Sequence, residues 1–194
     1  MADPVPSTDF VDPGTLLCAW PDLQDPNFMH GVIVICEHSR HGAFGLVLND
    51  PLDVGTETLL VNHKLLGQVE FPIYRGGPVE VGGLQFLHAV PEQIPGGHCI
   101  ADGLWIGGDF DALARYVSAN PEVAAGNVRL FVGYSGWGAG QLEQELQTGS
   151  WVPAAASVDE VFHPEPSTAW RRILQSLGAI GRELAEQPPD PRWN

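Results

Sequence analysis

Positive charge is what this sequence has least of. It contains a single lysine, Lys64, and nine Lys and Arg in all against 24 Asp and Glu, a formal net charge of −15. The only adjacent basic pair is Arg171-Arg172. Proteins that grip nucleic acid need clustered cations to displace phosphate counterions, so this balance weighs against direct nucleic-acid binding and favours basic or neutral partners. Long apolar runs are missing too. The longest, Val32 to Cys36, falls far below the ~20 residues of a membrane span, and no membrane association is expected. The first ten residues offer neither the basic nor the apolar segment of a secretory signal. Cys18, Cys36 and Cys99 are widely spaced and form no Cys-x-x-Cys, which argues against a disulfide framework and a zinc ribbon. A cytoplasmic location is expected.

What is present is enough apolar side chain for one core: 44% of 194 residues are hydrophobic. Short apolar runs at 15–19, 32–36, 44–48, 69–74, 84–90, 99–100 and 104–106 predict strands, several divided by turn residues such as Gly76-Gly77-Pro78 and Asp102-Gly103. Asp109 can cap a helix to about 119, with Phe110, Leu113, Ala114 and Val117 on one face, stopped by Pro121. Further helices are predicted over 140–148 and 167–178, with a short turn of helix within 56–62. Strands dominate the first half and helices come later without regular βαβ alternation. The expected fold is therefore α+β, a single domain with a mixed, mainly antiparallel sheet. A flexible N-terminal arm over 1–13, a domain over 14–180 and a disordered tail over 181–194 complete the expected organisation.

The run Gly133-Tyr134-Ser135-Gly136-Trp137-Gly138-Ala139-Gly140-Gln141-Leu142-Glu143 is the most distinctive stretch. Glycines at that density, interleaved with large aromatics, predict a structured corner between a strand and a helix. Other distinctive stretches are Leu16-Leu17-Cys18-Ala19-Trp20-Pro21, Asp25-Pro26-Asn27-Phe28, Cys36-Glu37-His38, Gly42-Ala43-Phe44-Gly45-Leu46-Val47-Leu48-Asn49, Gly76-Gly77-Pro78-Val79 and Leu87-His88. Taken in this order, they resemble the AlgH/YqgE family of bacterial proteins over about 14–178. The resemblance implies a single α+β domain whose forked sheet bends into a pseudo-barrel with flanking helices, and it implies no enzyme activity, cofactor or ligand. Two departures stand out. Asp50 replaces a basic residue usual after the asparagine, and Gly82-Gly83 replaces an arginine-glycine pair.

Several residues carry possible chemistry. Glu37 and His38 end an apolar strand and, with His88, Asn49 or Glu143, would make a carboxylate–imidazole pair for acid–base work. The plainer alternative is that they anchor strand ends. Cys36 lies within a Val-Ile strand, as an inert packing thiol would. Ser135 lacks the second glycine of a nucleophile elbow, since Trp137 occupies that slot. No metal-ligand spacing is present: His38 and His41 are three apart in a turn, and no His-Glu-x-x-His occurs. The favoured expectation is a non-catalytic binding or regulatory domain without cofactor. Its candidate surface comprises Glu37, His38, Asn49, Gly76, Gly77, Pro78, His88, Tyr134, Trp137, Gln141 and Glu143, holding a protein or small-molecule partner. Trp137 is its expected anchor, above a rim made by Gly76-Gly77-Pro78. An enzyme built on Glu37 and His38, and a purely architectural role for every motif, are the competing expectations.

Overall fold

The computed structural model describes residues 11–187. In chain order the strands and α-helices are β1 (Thr15–Ala19), β2 (Val32–Ser39), β3 (Gly42–Val47), β4 (Pro51–Gly55), α1 (Thr56–Leu59), β5 (Pro72–Arg75), β6 (Val79–His88), β7 (His98–Ala101) and β8 (Leu104–Ile106). There follow α2 (Phe110–Ala119), α3 (Pro121–Ala125), β9 (Val128–Gly138), α4 (Gln141–Gln147), β10 (Trp151–Ala155), α5 (Val158–Val161), α6 (Ala169–Ser176) and α7 (Gly178–Ala185). The expected α+β class holds. The strands form one curled sheet in the order β10-β1-β2-β3-β9-β6-β8-β7, a half-barrel with helices around it.

β9 organises the sheet, and the sheet forks along it. Antiparallel β6 pairs with it from Val128 to Tyr134 and antiparallel β3 from Ser135 to Gly138. β5 runs parallel to Leu130–Val132 and wedges in where β3 departs: the Val47 N–H donates to the Gly76 carbonyl, and the Gly76 N–H to Val132. At the fork the backbones approach too closely for any side chain. A Cβ on Gly76 would stand 2.3 Å from the Gly133 oxygen, and one on Gly77 2.2 Å from the Tyr134 carbonyl carbon. Gly76-Gly77-Pro78 thus lets the chain pass from β5 into β6 across β9.

Strand alternation divides the core. On β1 and β2 the even residues Leu16, Cys18, Val32 and Val34 meet Trp170, Ile173 and Leu174 of α6 and Leu184 of α7. The odd residues Leu17, Ala19, Ile33 and Ile35 meet Leu142 and Leu146 of α4 together with Trp137 and Trp151. Beyond the fork, Leu113 and Val117 of α2 and Ala124 of α3 cover Ile73, Phe86, Val128 and Leu130. The cap on α2 forms as its sequence implies, the Asp109 carboxylate accepting from the Ala112 N–H at 2.8 Å.

The structure adds detail to four expectations. The glycine–aromatic run is not a corner: β9 continues through it to Gly138, paired with β3 from Ser135 onward, and β3 comes close at Gly42, where no Cβ would fit beside the Trp137 carbonyl. Pro121 does not merely end a helix. It opens α3 at the first helical position, where a missing N–H costs nothing, and Asn120 caps it. The domain boundary at 180 falls inside α7, whose Leu184 and Ala185 are buried. Val11, placed in the arm, is buried against the α4 side of the sheet, while 1–10 lie outside the described residues. Among the described residues, no helix is long and apolar enough to cross a membrane.

Candidate functional site

A β-bulge decides the site. Ile35 pairs with Gly45 but Glu37 pairs with Phe44, so Cys36 is inserted and the alternation of β2 changes phase. Glu37 therefore shares a face with Phe44, whereas His38, opposite Ala43, turns to the α4 side. Neighbours in sequence, the two residues occupy opposite faces of the sheet, and no Glu37–His38 acid–base pair forms.

On its own face His38 is a clamp. Its Nε2 lies 2.7 Å from Glu143 Oε1 and its Nδ1 bonds the Val11 carbonyl, so both ring nitrogens are committed to acceptors. The imidazole ties the incoming chain to the first turn of α4. The Glu143 backbone N–H, followed by the His38 ring, holds the Glu143 carboxyl below the usual carboxylate range, against an opposing effect of partial burial.

Trp137, expected as an exposed anchor, is buried, 6% accessible. Its indole N–H donates to Glu145 Oε2 at 2.8 Å, and the Trp151 indole donates to the same oxygen at 2.8 Å. Gln141 completes the group by donating to Glu145 Oε1 at 2.9 Å and accepting from the Gly138 N–H at 3.1 Å. One carboxylate thus docks α4 onto β9 and β10. Nothing in the sequence pointed to Glu145 except its place one turn after Gln141. Replacing it with alanine orphans two indole donors; a loss of about 2 kcal/mol is expected in chemical denaturation, with tryptophan emission shifted to the red before unfolding.

Asn49 and His88 hold the frame. Asn49 accepts from the Val32 N–H at 2.8 Å and donates to the His30 carbonyl at 2.9 Å, closing the loop before β2 onto the end of β3. His88, fully buried, donates from Nε2 to the Gly107 carbonyl at 3.0 Å and accepts at Nδ1 from the Val90 N–H at 3.3 Å. Burial pushes its pKa down, partly offset by the bond to Gly107, and the two bonds select one neutral tautomer. It pairs with the β8 side of the sheet and joins none of the other candidates. Ser135 is buried and donates to the Gly76 carbonyl at 3.1 Å, a fork residue. Burial raises the thiol pKa of Cys36 and pushes that of Cys18 up to about 12, so both stay protonated. Among the described residues, no three His, Cys, Asp or Glu side chains converge to hold a metal.

What does open to solvent is the Glu37 face. A shallow groove of about 480 Å³ lies between the β2–β3 hairpin, with Glu37, Ser39 and His41, and the start of β6 at Val79. Its floor is Phe44 and Tyr134, rings edge-to-face with centroids 5.1 Å apart, beside exposed Gly136. A Cβ on Gly136 would meet the Tyr134 ring at 3.2 Å, so the ring lies along bare backbone. Of the expected surface, this groove gathers Glu37 and Tyr134, with Trp137 reaching it from beneath. His38, Gln141 and Glu143 belong to the α4 seam, and Gly76 and Gly77 to the fork. Ser39, His41, Phe44 and Gly136 were not singled out from sequence as groove residues; the alternation of Phe44 with its cross-strand partners carried the signal, but the bulge at Cys36 hid it.

Comparison with known proteins shows the same fold in solved structures and places the chain in a family. The solution structure of the AlgH protein from Pseudomonas aeruginosa superimposes with a TM-score of 0.69 at 26% identity, over 97% of this chain and 98% of that one. The crystal structure of protein DIP2367 from Corynebacterium diphtheriae shares the fold, with a TM-score of 0.74 at 22% identity over 92% of this chain and 94% of that one. In sequence, a UPF0301 protein of Chlorobium limicola is 37% identical over 186 residues, 96% of this chain and 97% of its own length. A UPF0301 protein of Parabacteroides distasonis is likewise 37% identical, over 93% of this chain and 90% of its own length. The family model described as AlgH-like matches residues 16–181, and the chain belongs to that AlgH-like, UPF0301 family.

Proposed function

We propose that this chain is a non-catalytic binding domain whose working surface is the groove between the β2–β3 hairpin and the start of β6. The observation that carries the reading is the open Phe44–Tyr134 floor, two half-buried rings kept uncovered by Gly42 and Gly136 on the adjoining strands. Aromatic rings fixed by a sheet give contact area at little entropic cost, which is what a preformed recognition surface needs. The competing acid–base reading has less support: Glu37 and His38 face opposite ways, and His38 has no ring nitrogen left for a substrate. The partner is a protein or a small molecule met in the cytoplasm, and the strongly acidic surface disfavours nucleic acid.

A photo-crosslinking side chain placed at Ser39, on the groove rim, tests this in the host cell against the same group at Val123, exposed on α3. A discrete adduct at position 39 and none at 123 is the expected result. Equal yields, or none at 39, would remove the groove as the working surface.

A further inference from the structure

We infer that the groove receives an arginine side chain presented by a basic segment of a protein partner, an inference that rests on the binding role proposed above. Glu37 stands directly across from Phe44 on the adjoining strand, where facing Cβ atoms lie about 5 Å apart. Its carboxylate is exposed and makes no ion pair among the described residues. Arg40, the cation at the hairpin tip, is turned instead to His41, donating to Nε2 at 3.2 Å. Beside the free carboxylate lie the Phe44 and Tyr134 rings, and Gly136, the cross-strand partner of Phe44, adds no side chain of its own there.

One ligand group satisfies both halves. A guanidinium is planar: its edge forks onto a carboxylate while its face stacks on an aromatic ring, and it sheds water more readily than an ammonium. The field of a chain with net charge −15 adds attraction for a basic segment before contact. A carboxylate or phosphate ligand would meet Glu37 head-on, and an apolar one would leave its charge without a partner.

The test titrates the isotope-labelled full chain with the capped peptide Gly-Arg-Gly, and separately with Gly-Gln-Gly, following backbone amide shifts at about physiological salt, where the Debye length is about 8 Å. Expected are saturable shifts centred on Glu37, Phe44, Tyr134 and Gly136 with the arginine peptide, and affinity about tenfold weaker with the glutamine peptide. Glu37→Gln, an exposed change, should weaken the arginine peptide by a similar factor while leaving shifts elsewhere unmoved. Equal affinity for the two peptides in the groove overturns the arginine inference and keeps the groove as a binding surface. Shifts absent from the groove, or scattered over the acidic surface and indifferent to Glu37→Gln, overturn both.

Discussion

Replacing Gly77 with alanine is expected to cost about 3 kcal/mol or more, a large share of the stability of an ordinary domain. The added methyl would lie 2.2 Å from the Tyr134 carbonyl carbon and 2.4 Å from the Ser135 nitrogen, both backbone atoms of the central strand. Neither can swing aside as a side chain end would. The residue also sits at φ 152°, a conformation L residues rarely adopt. Gly82→Ala, with nothing within 4 Å of its Cβ, is the matched control and should be neutral or stabilising by roughly 0.5 kcal/mol through the unfolded chain. Guanidinium melts of the two variants give the comparison. Similar midpoints for both would mean that the fork yields to the methyl group and does not require glycine.

Removing the guanidinium of Arg129 is the second change with a large expected effect. This side chain is 5% accessible, yet it has no carboxylate partner among the described residues. It donates from Nη1 to the Leu48 carbonyl at 2.9 Å and from Nη2 to the His163 carbonyl at 3.0 Å, and it lies over the Tyr74 ring at 4.4 Å. Burial lowers its pKa, but an arginine keeps its proton at any ordinary pH. Arg129→Ala leaves two buried carbonyls unpaired and a void against Tyr74, for an expected loss of about 3 kcal/mol in chemical denaturation. Arg129→Lys keeps a charge but cannot span both carbonyls, so it should recover only part of that loss. Full recovery by lysine would show that charge, not the two-pronged geometry, holds the loop after β3 to the segment after α5.

Elements with a strong local signal were legible in the chain. β1, β7, β8, α2 and α4 lie where apolar spacing and caps put them, because each is specified by its own residues and immediate flanks. The AlgH-like architecture was legible from ordered motifs. What escaped were features created by chain segments meeting at long range. The bulge at Cys36 depends on how β2 registers against β3, and nothing near Cys36 announces it. Trp137 looked like a recognition residue because it sits among glycines, but the strand continues through them beside β3, and α4 with Glu145 covers the ring. Glu37 and Tyr134 of the expected surface line the groove, while His88 and Asn49 went to scaffold positions because buried polar side chains must find partners wherever the backbone offers them.

The central place of β9 has a consequence for synthesis. Its three neighbours, β3, β5 and β6, all leave the ribosome before it, and β1 waits longer still for β10, whose Ala155 pairs with Thr15. A nascent chain ending before Val128 therefore holds strands with their shared partner missing, and no hairpin-by-hairpin route completes the sheet. Pairings of this sequence separation place the fold among slow, high-contact-order topologies, committed late and as a whole. Until β9 emerges, β3, β5 and β6 each keep an open hydrogen-bonding edge, and that interval is when the chain is most prone to aggregate.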